Sequence, residues 1–441
     1  MSGTRAPRMV HDLWPLALIR ARGGAQVPSV DVARPKDFED VCALLRSGRR
    51  LVPMGGSSGV CGALAPAEGD LVLDLSGLNH VDIDAENLIV RAGAGVNGLT
   101  LERRLNAAGL TLGHYPSSLP VATVGGLVST RSSGQESSRH GGIEEMALGL
   151  TVALADGTIV KGRAHPRSAV GPALHQVFIG AEGALGVVLE AVLRVHRLPE
   201  AVIGRGWRLP AVRPGLEALR EVMQHDLRPL VLRLYDPEDS AFQGLSNGCL
   251  LVAASAGPRK LAEAEASLLA DFVESKSGEA LGEEPWTHWL EHRFDLSAER
   301  LTDYLKPTGS YLDTIELATT WTELPRLYEA VKAHLSATAG LALCHFSHGY
   351  AQGCCAYFTF AGSAPDDAEA EAVYLEAWRG AMEISLRLGA TISHHHGVGQ
   401  ARAAWARAEL GAWWEVWRRV RKSLDPNAKL NPNAMGGWDP G

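Results

Sequence analysis

Cysteine is scarce in this chain. The 441 residues hold six, Cys42, Cys61, Cys249, Cys344, Cys354 and Cys355. They form no CxxC pair and no regular framework, and the neighbours Cys354 and Cys355 could be bridged only with strain. This argues against a disulfide scaffold, and a reduced, cytoplasmic setting is expected. Long apolar runs are missing as well: no stretch reaches the roughly 18 residues of a membrane span. Near the start, Arg5 and Arg8 precede an apolar run, Val10–Ile19. His11, Asp12 and Pro15 interrupt that run and Arg20 and Arg22 close it, which makes a poor secretory signal. Trp438–Gly441 carries no Ser-Lys-Leu-type address. Basic clusters are absent too. Lys and Arg number 42 against 50 Asp and Glu, a net charge of −8, so a general grip on nucleic acid is not expected.

What the chain has in excess is glycine, 48 residues where the usual frequency of about 7% would give roughly 31. Glycine costs backbone entropy, so the surplus points to tight turns or close approach of backbone to a ligand. Hydrophobic content of 46% and charged content of 21% are those of an ordinary globular protein, and the length suits two or three domains.

The hydrophobic pattern predicts an α+β chain. Helices are expected at 36–47 and 99–108, with strands at 51–54, 71–75, 88–92 and 187–196 and a hairpin around Asp156-Gly157. The stretch Pro199 to Pro214 reads as a boundary. Beyond it, helices at 216–225, 259–275 and 323–336 alternate with strands at 230–235, 249–255, 312–319, 341–347 and 355–360, a second α+β domain with an antiparallel sheet. A helix over 366–387 leads into Thr391–Gly399, followed by a Trp-rich helix over 401–424. Its stripe of Trp413, Trp414 and Trp417 with Leu410, Val420 and Leu424 reads as core or as a homodimer face. The expected division is an N-terminal extension 1–24, a glycine-rich domain 25–200, a second domain 201–388 and a C-terminal segment 389–441.

Four glycine-dense segments lie beside apolar strands: Pro53-Met-Gly-Gly-Ser-Ser-Gly59, Gly113–Gly126, Ser129–Gly134 and Ile179–Val188. The first is neither GxGxxG opening a helix nor a GxxxxGK[ST] loop, and alone it reads equally as a tight strand-to-strand turn. Glycine also lets successive N–H groups curl into an anion-binding nest. Together the four suit a long, flat ligand contacted mainly by backbone.

The order PxGGSSG, GHxPSS…TVGG, STRSSG…GGIEE and GAEGALGVV resembles the FAD-binding domain of the vanillyl-alcohol-oxidase-like flavoproteins. Over the rest of the chain, Val231–Asp236, Tyr350–Phe360 and Ser393-His-His-His-Gly-Val-Gly399 resemble one branch of that family, alkyldihydroxyacetonephosphate synthase and its bacterial relatives. The resemblance implies an FAD-binding domain plus a substrate-binding cap. It implies FAD contacts from Pro53, Met54, Gly55, Gly56, Ser57, Ser58 and Gly59 at the pyrophosphate. Ser117, Ser118, Leu119, Thr123, Thr130, Arg131, Ser132 and Ser133 would line the isoalloxazine and ribityl side. Glu182, Gly183, Ala184, Leu185, Gly186, Val187 and Val188 would complete the site. Many relatives carry a flavin-linking His in the first glycine loop; Gly55–Gly59 has none, which implies non-covalent FAD.

His394, His395 and His396 are consecutive, so in an extended segment at most His394 and His396 share a face. Zinc ligands are usually spaced further apart, and no metal is expected; a structural tract and an active-site cluster both remain open. Tyr357, in the alternating strand Ala356–Phe360, reads by itself as packed core; the resemblance implies a general acid/base. Arg233 lies between apolar neighbours and needs a partner, either Asp236 or Glu316, or a ligand at the flavin. The resemblance places an anion-binding arginine near Arg300, with Arg293 in competition. His345 and His348 stand at the end of a strand, where the pair reads as pocket lining or packing, with metal binding alongside the histidine triplet as the lesser alternative. Its functional implication is chemistry at flavin N5 on a small phosphorylated or carboxylated substrate, as in the synthase; the alternative is an FAD-dependent oxidase or dehydrogenase of a hydroxy acid or alcohol.

Overall fold

A computed structural model describes residues 8–245, 247–295 and 298–437. Arg5 and the segment Trp438–Gly441 lie outside them. Among the described residues two parts of the chain face the site, the first built on a four-stranded and a five-stranded sheet, the second on a seven-stranded one.

The first part begins with a small sheet in the order Arg8–Met9, Ser29–Ala33, Leu71–Asp74, Leu51–Met54, whose inner pairs are parallel. The helix Phe38–Leu45 starts where the Asp37 side chain accepts a hydrogen bond from the Asp40 N–H, and it buries Val41, Cys42 and Leu45. Beside it stands a five-stranded antiparallel sheet, Val81–Asp84, Ile89–Gly93, Val187–Arg194, Ala147–Ala153, Ile159–Val160. The glycine segments are the connections between these strands.

The second part is a seven-stranded antiparallel sheet in the order Glu279–Gly282, Ala201–Leu209, Cys249–Gly257, Val231–Tyr235, Leu341–Ser347, Gly353–Ser363, Ser310–Thr320. Its central strands alternate. Leu232, Leu234, Cys344, Phe346, Ala356, Phe358, Ile315 and Leu317 face a core closed by the helices Val212–Gln224, Leu324–Ala339 and Asp367–Arg387. The opposite face carries Arg233, Tyr235, His345, Tyr357, Thr314 and Glu316.

The sequence reading missed two elements and merged two helices into one. Within the 199–214 boundary stretch, Ala201–Leu209 is a nine-residue strand of the seven-stranded sheet, for which the sequence reading had no element. The apolar run near the N-terminus contains a helix, Pro15–Arg22, that buries Leu16 and Ile19. Arg22 fixes it to the cap through the Asp367 carboxylate, at 2.7 Å, and the Ser310 carbonyl, at 2.8 Å. The Trp-rich helix is two helices, Ala403–Leu410 and Trp413–Leu424, broken at Gly411 with φ +53°. Its stripe is not core, since Trp413 is 71% exposed.

After the second helix the chain returns to the first sheet. The N–H of Leu51 donates to the Lys429 carbonyl and the N–H of Asn431 to the Leu51 carbonyl, at 2.7 and 2.8 Å. No helix among the described residues is long and apolar enough to cross a membrane.

Candidate active site

Between the two parts of the chain lies a cavity of about 400 Å³, the size of a cofactor or ligand pocket. One wall is backbone. Pro53, Met54, Gly55, Gly56, Ser57, Ser58 and Gly59 all line it, followed by Ser117, Ser118, Thr123, Thr130, Ser132, Ser133, Glu182, Gly183, Gly186 and Val188. The glycine loop presses against the next segment: a Cβ on Gly56 would stand 2.0 Å from the Val121 carbonyl oxygen, and one on Gly55 2.3 Å from Thr123 Oγ1. Ser57 sits at φ +56°, a left-handed residue of the kind that builds an anion nest. Among the described residues, no acceptor in the chain takes the N–H groups of 55–59. Those free donors, with the hydroxyls of Thr123, Ser132 and Ser133, fit a pyrophosphate-bearing cofactor.

Other residues expected at the cofactor stand elsewhere. Leu119, Ala184, Leu185 and Val187 are buried behind the wall. Arg131 turns to solvent and pairs with the Glu144 carboxylate at 3.0 Å. The carboxylate of Glu182 is engaged by the chain itself: Oε1 accepts from the N–H groups of Val398 and Gly399, at 2.7 and 2.9 Å. It thereby anchors the loop after the histidine triplet.

The other wall consists of side chains set by strand register. Tyr357 stands opposite His345 on one neighbouring strand and Glu316 on the other. Its ring stacks on His345, with centroids 4.7 Å apart and planes 15° apart, and on its other side lies His395 at 5.9 Å and 22°. Burial pushes the Tyr357 hydroxyl above its ordinary value, so it stands protonated at neutral pH. The Arg233 guanidinium, also in the lining, donates to Nε2 of His345 at 2.7 Å and to the Tyr235 hydroxyl at 3.1 Å. Burial first, then Arg233, pushes His345 down to about 4. The partners suggested for Arg233 by sequence are taken by others: Asp236 receives Lys332, and Glu316 receives Arg402.

Glu316 holds the triplet together. It is fully buried; Oε1 accepts from the His396 N–H at 2.9 Å and from the Ser393 hydroxyl at 3.1 Å, while Oε2 meets Arg402 and lies 3.1 Å from His396 Nδ1. Burial opposes its ionisation, but Arg402 and His396 outweigh burial and hold the carboxyl well below its usual range. His395 and His396 line the cavity; His394 lies behind them. Among the described residues, His348, His394 and His395 bring one ring nitrogen each within 4.8 Å of one another. Ring nitrogens of all three already have partners: Nδ1 of His348 the Ser137 hydroxyl at 2.6 Å, Nε2 of His394 the Tyr350 hydroxyl at 2.8 Å, and Nδ1 of His394 the Nδ1 of His395 at 2.8 Å.

Arg300 is outside the cavity, two-thirds exposed and paired with Asp295 at 3.2 Å. Arg293 is nearer but engaged, 3.4 Å from the Glu136 carboxylate and stacked 4.3 Å from the Tyr115 ring. Burial raises Glu136 to about 7, partly offset by Arg293. The sequence reading missed Arg402, Asp313 and Thr314. Arg402 carries no local signal, but Asp313 and Thr314 lie on the strand that holds Glu316, two or three residues before it.

A glycine cradle from the first part of the chain facing a tyrosine–histidine wall from the second defines the two-domain FAD-binding fold of the vanillyl-alcohol-oxidase type, and FAD is the cofactor. Residues 31–163 match the family profile described as FAD binding domain, and residues 198–435 the one described as FAD linked oxidases, C-terminal domain. The chain therefore belongs to the FAD-linked oxidase family. It is 28% identical to alkyldihydroxyacetonephosphate synthase of Dictyostelium discoideum, over 95% of this chain and 75% of that protein. It is 33% identical to an FAD-linked oxidoreductase of Escherichia coli, over 87% of this chain and 83% of the relative. A solved alkyldihydroxyacetonephosphate synthase superposes with a TM-score of 0.81 at 25% identity, over 96% of this chain and 80% of the other.

Proposed function

We propose that this FAD-dependent enzyme carries out group exchange of the kind named for its synthase relatives, on a small anionic substrate, with Tyr357 as the proton-transferring group. The observation that supports this is the position of Tyr357, between His345 and His395 on the wall that faces the glycine cradle. Bound FAD supplies at N5 a centre that can accept an electron pair from substrate carbon. The chain supplies the rest. Arg233 receives the substrate's carboxylate or phosphate, and its bond to His345 orients the guanidinium. The protonated Tyr357 hydroxyl gives a proton to a leaving oxygen and takes one from an entering hydroxyl, while His395 and His396 exchange protons beside it. Glu316 and Arg402 keep the histidine backbone in place. FAD is held without a covalent link, since the loop 55–59 offers no histidine and the thiol of Cys61 contacts Arg402 at 2.6 Å. In this reading residues 25–200 are the cofactor domain, 201–388 the cap, and 389–441 the segment that carries the triplet back to the cofactor domain.

A second reading is oxidation of a 2-hydroxy acid or alcohol by the same residues. One observation favours it: with Arg300 outside and Arg293 engaged, Arg233 is the only arginine or lysine among the described lining residues. One guanidinium suits a carboxylate as well as a phosphate. The two readings separate under anaerobic conditions. Continued turnover of acyl-dihydroxyacetone phosphate with an alcohol, without any electron acceptor, is the expected result. Stoichiometric bleaching of the flavin by a simple 2-hydroxy acid would refute group exchange and establish the oxidoreductase.

A further inference from the structure

The mechanism leaves one arrangement unused. Tyr350 lies in the turn between the strands Leu341–Ser347 and Gly353–Ser363 and is 39% exposed. Its hydroxyl is 2.8 Å from Nε2 of His394, and Nδ1 of His394 is 2.8 Å from Nδ1 of His395. His395 lines the cavity, and with its Nδ1 occupied its Nε2 is the nitrogen left for the cavity side. Two hydrogen bonds therefore connect the reaction site, through one half-buried ring, to a tyrosine in a partly exposed surface turn.

We propose that Tyr350, His394 and His395 form a proton relay between the cavity and water; the proposal rests on reading this cavity as the reaction site. Two nitrogens 2.8 Å apart must share one proton, so exactly one of the two Nδ1 atoms carries it and the rings adopt opposite tautomers. In the outward setting His395 is protonated on Nδ1 and His394 on Nε2. When Nε2 of His395 takes a proton in the cavity, the Nδ1 proton passes to Nδ1 of His394. The Nε2 proton of His394 then passes to the Tyr350 oxygen, and the hydroxyl proton of Tyr350 leaves to water. One proton enters and one leaves, no electrons move, and both rings end neutral in the reverse tautomers, set for inward traffic. Burial keeps both rings neutral at pH 7, His394 being pushed down to about 4 and His395 below its ordinary value. The rings are held in place: the His394 N–H donates to the Glu316 carbonyl at 3.2 Å, and His348 lies against both rings at 4.9 and 4.8 Å. Tyr350 acts through His394 and is a positioning and relay residue, not a catalytic one.

Tyr350→Phe keeps the ring and removes the outer link. With the substrate that the wild-type holoenzyme consumes, kcat is expected to fall about tenfold at unchanged KM and FAD content, and added imidazole, a mobile proton carrier, should restore most of it. Wild-type kcat in Tyr350→Phe, or a loss that imidazole does not restore, would overturn the relay. The second measurement needs no substrate, so it judges the relay even if the chemistry proposed above is wrong. In nitrogen-15 NMR of histidine-labelled holoenzyme at pH 7, His394 and His395 should be neutral and of opposite tautomer, and Tyr350→Phe should move the His394 Nε2 signal. Two like tautomers, or an imidazolium at either position, would refute the proposal.

Discussion

The two walls of the cavity are built by different means. The cofactor wall is loop backbone, in which N–H groups of small residues converge because glycine and left-handed serine allow it. The opposite wall is side chain on sheet, in which Arg233, His345, Tyr357 and Glu316 come together because four antiparallel strands are in register. A loop motif carries its own geometry, so its function is written locally. A sheet face depends on partners distant in sequence, 112 residues apart for Arg233 and His345, and a slip of one residue would turn Tyr357 into the core.

The largest effect that would test this contrast lies under the sheet wall. Arg402→Met leaves the buried Glu316 carboxylate without its cation, a loss of about 3–5 kcal/mol in the stability read from urea unfolding. A loss below about 1 kcal/mol would mean that the triplet needs no such anchor. Next, Tyr357→Phe should retain FAD and lose at least about 10²-fold in turnover. Loss of FAD in that variant would break the separation between the walls. On the cofactor side, Gly56→Ala puts a methyl 2.0 Å from the Val121 carbonyl oxygen. FAD affinity, followed by flavin fluorescence, should weaken by about tenfold or more while far-UV circular dichroism keeps the second sheet; wild-type affinity would reduce the loop to a turn. Acid precipitation should leave the yellow colour in the supernatant, and colour in the pellet would show a covalent link. The smallest effect is a titration. His345 is held neutral by burial and by Arg233, so its ring should take up a proton only near pH 4, not near 6.5, in an NMR titration. Titration near 6.5 would mean that Arg233 does not donate to it.

The alternating strands Leu341–Ser347 and Gly353–Ser363 and the helix Arg259–Ser275 were legible because their hydrophobic periods are long and regular. The strand Ala201–Leu209 was not, because its glycines and arginines mask the alternation. That Trp413 lies outside the core was hidden for a related reason. A helical stripe shows that one face is apolar, but not whether anything covers it.

The amino-acid sequence by itself pointed to the cofactor: four glycine segments in order suit a long, flat ligand held mainly by backbone, and their resemblance to the vanillyl-alcohol-oxidase-like flavoproteins implied that this ligand is FAD. Tertiary structure alone decided the rest of the site. It put Arg300 in solvent and Arg233 in the cavity, gave Glu316 to Arg402, and turned three consecutive histidines into one lining pair and one ring linked to Tyr350. The physical reason is that a buried charge or a neutral imidazole takes its function from the partner it meets, and these partners meet only when the sheet closes and the C-terminal segment returns to the cofactor domain.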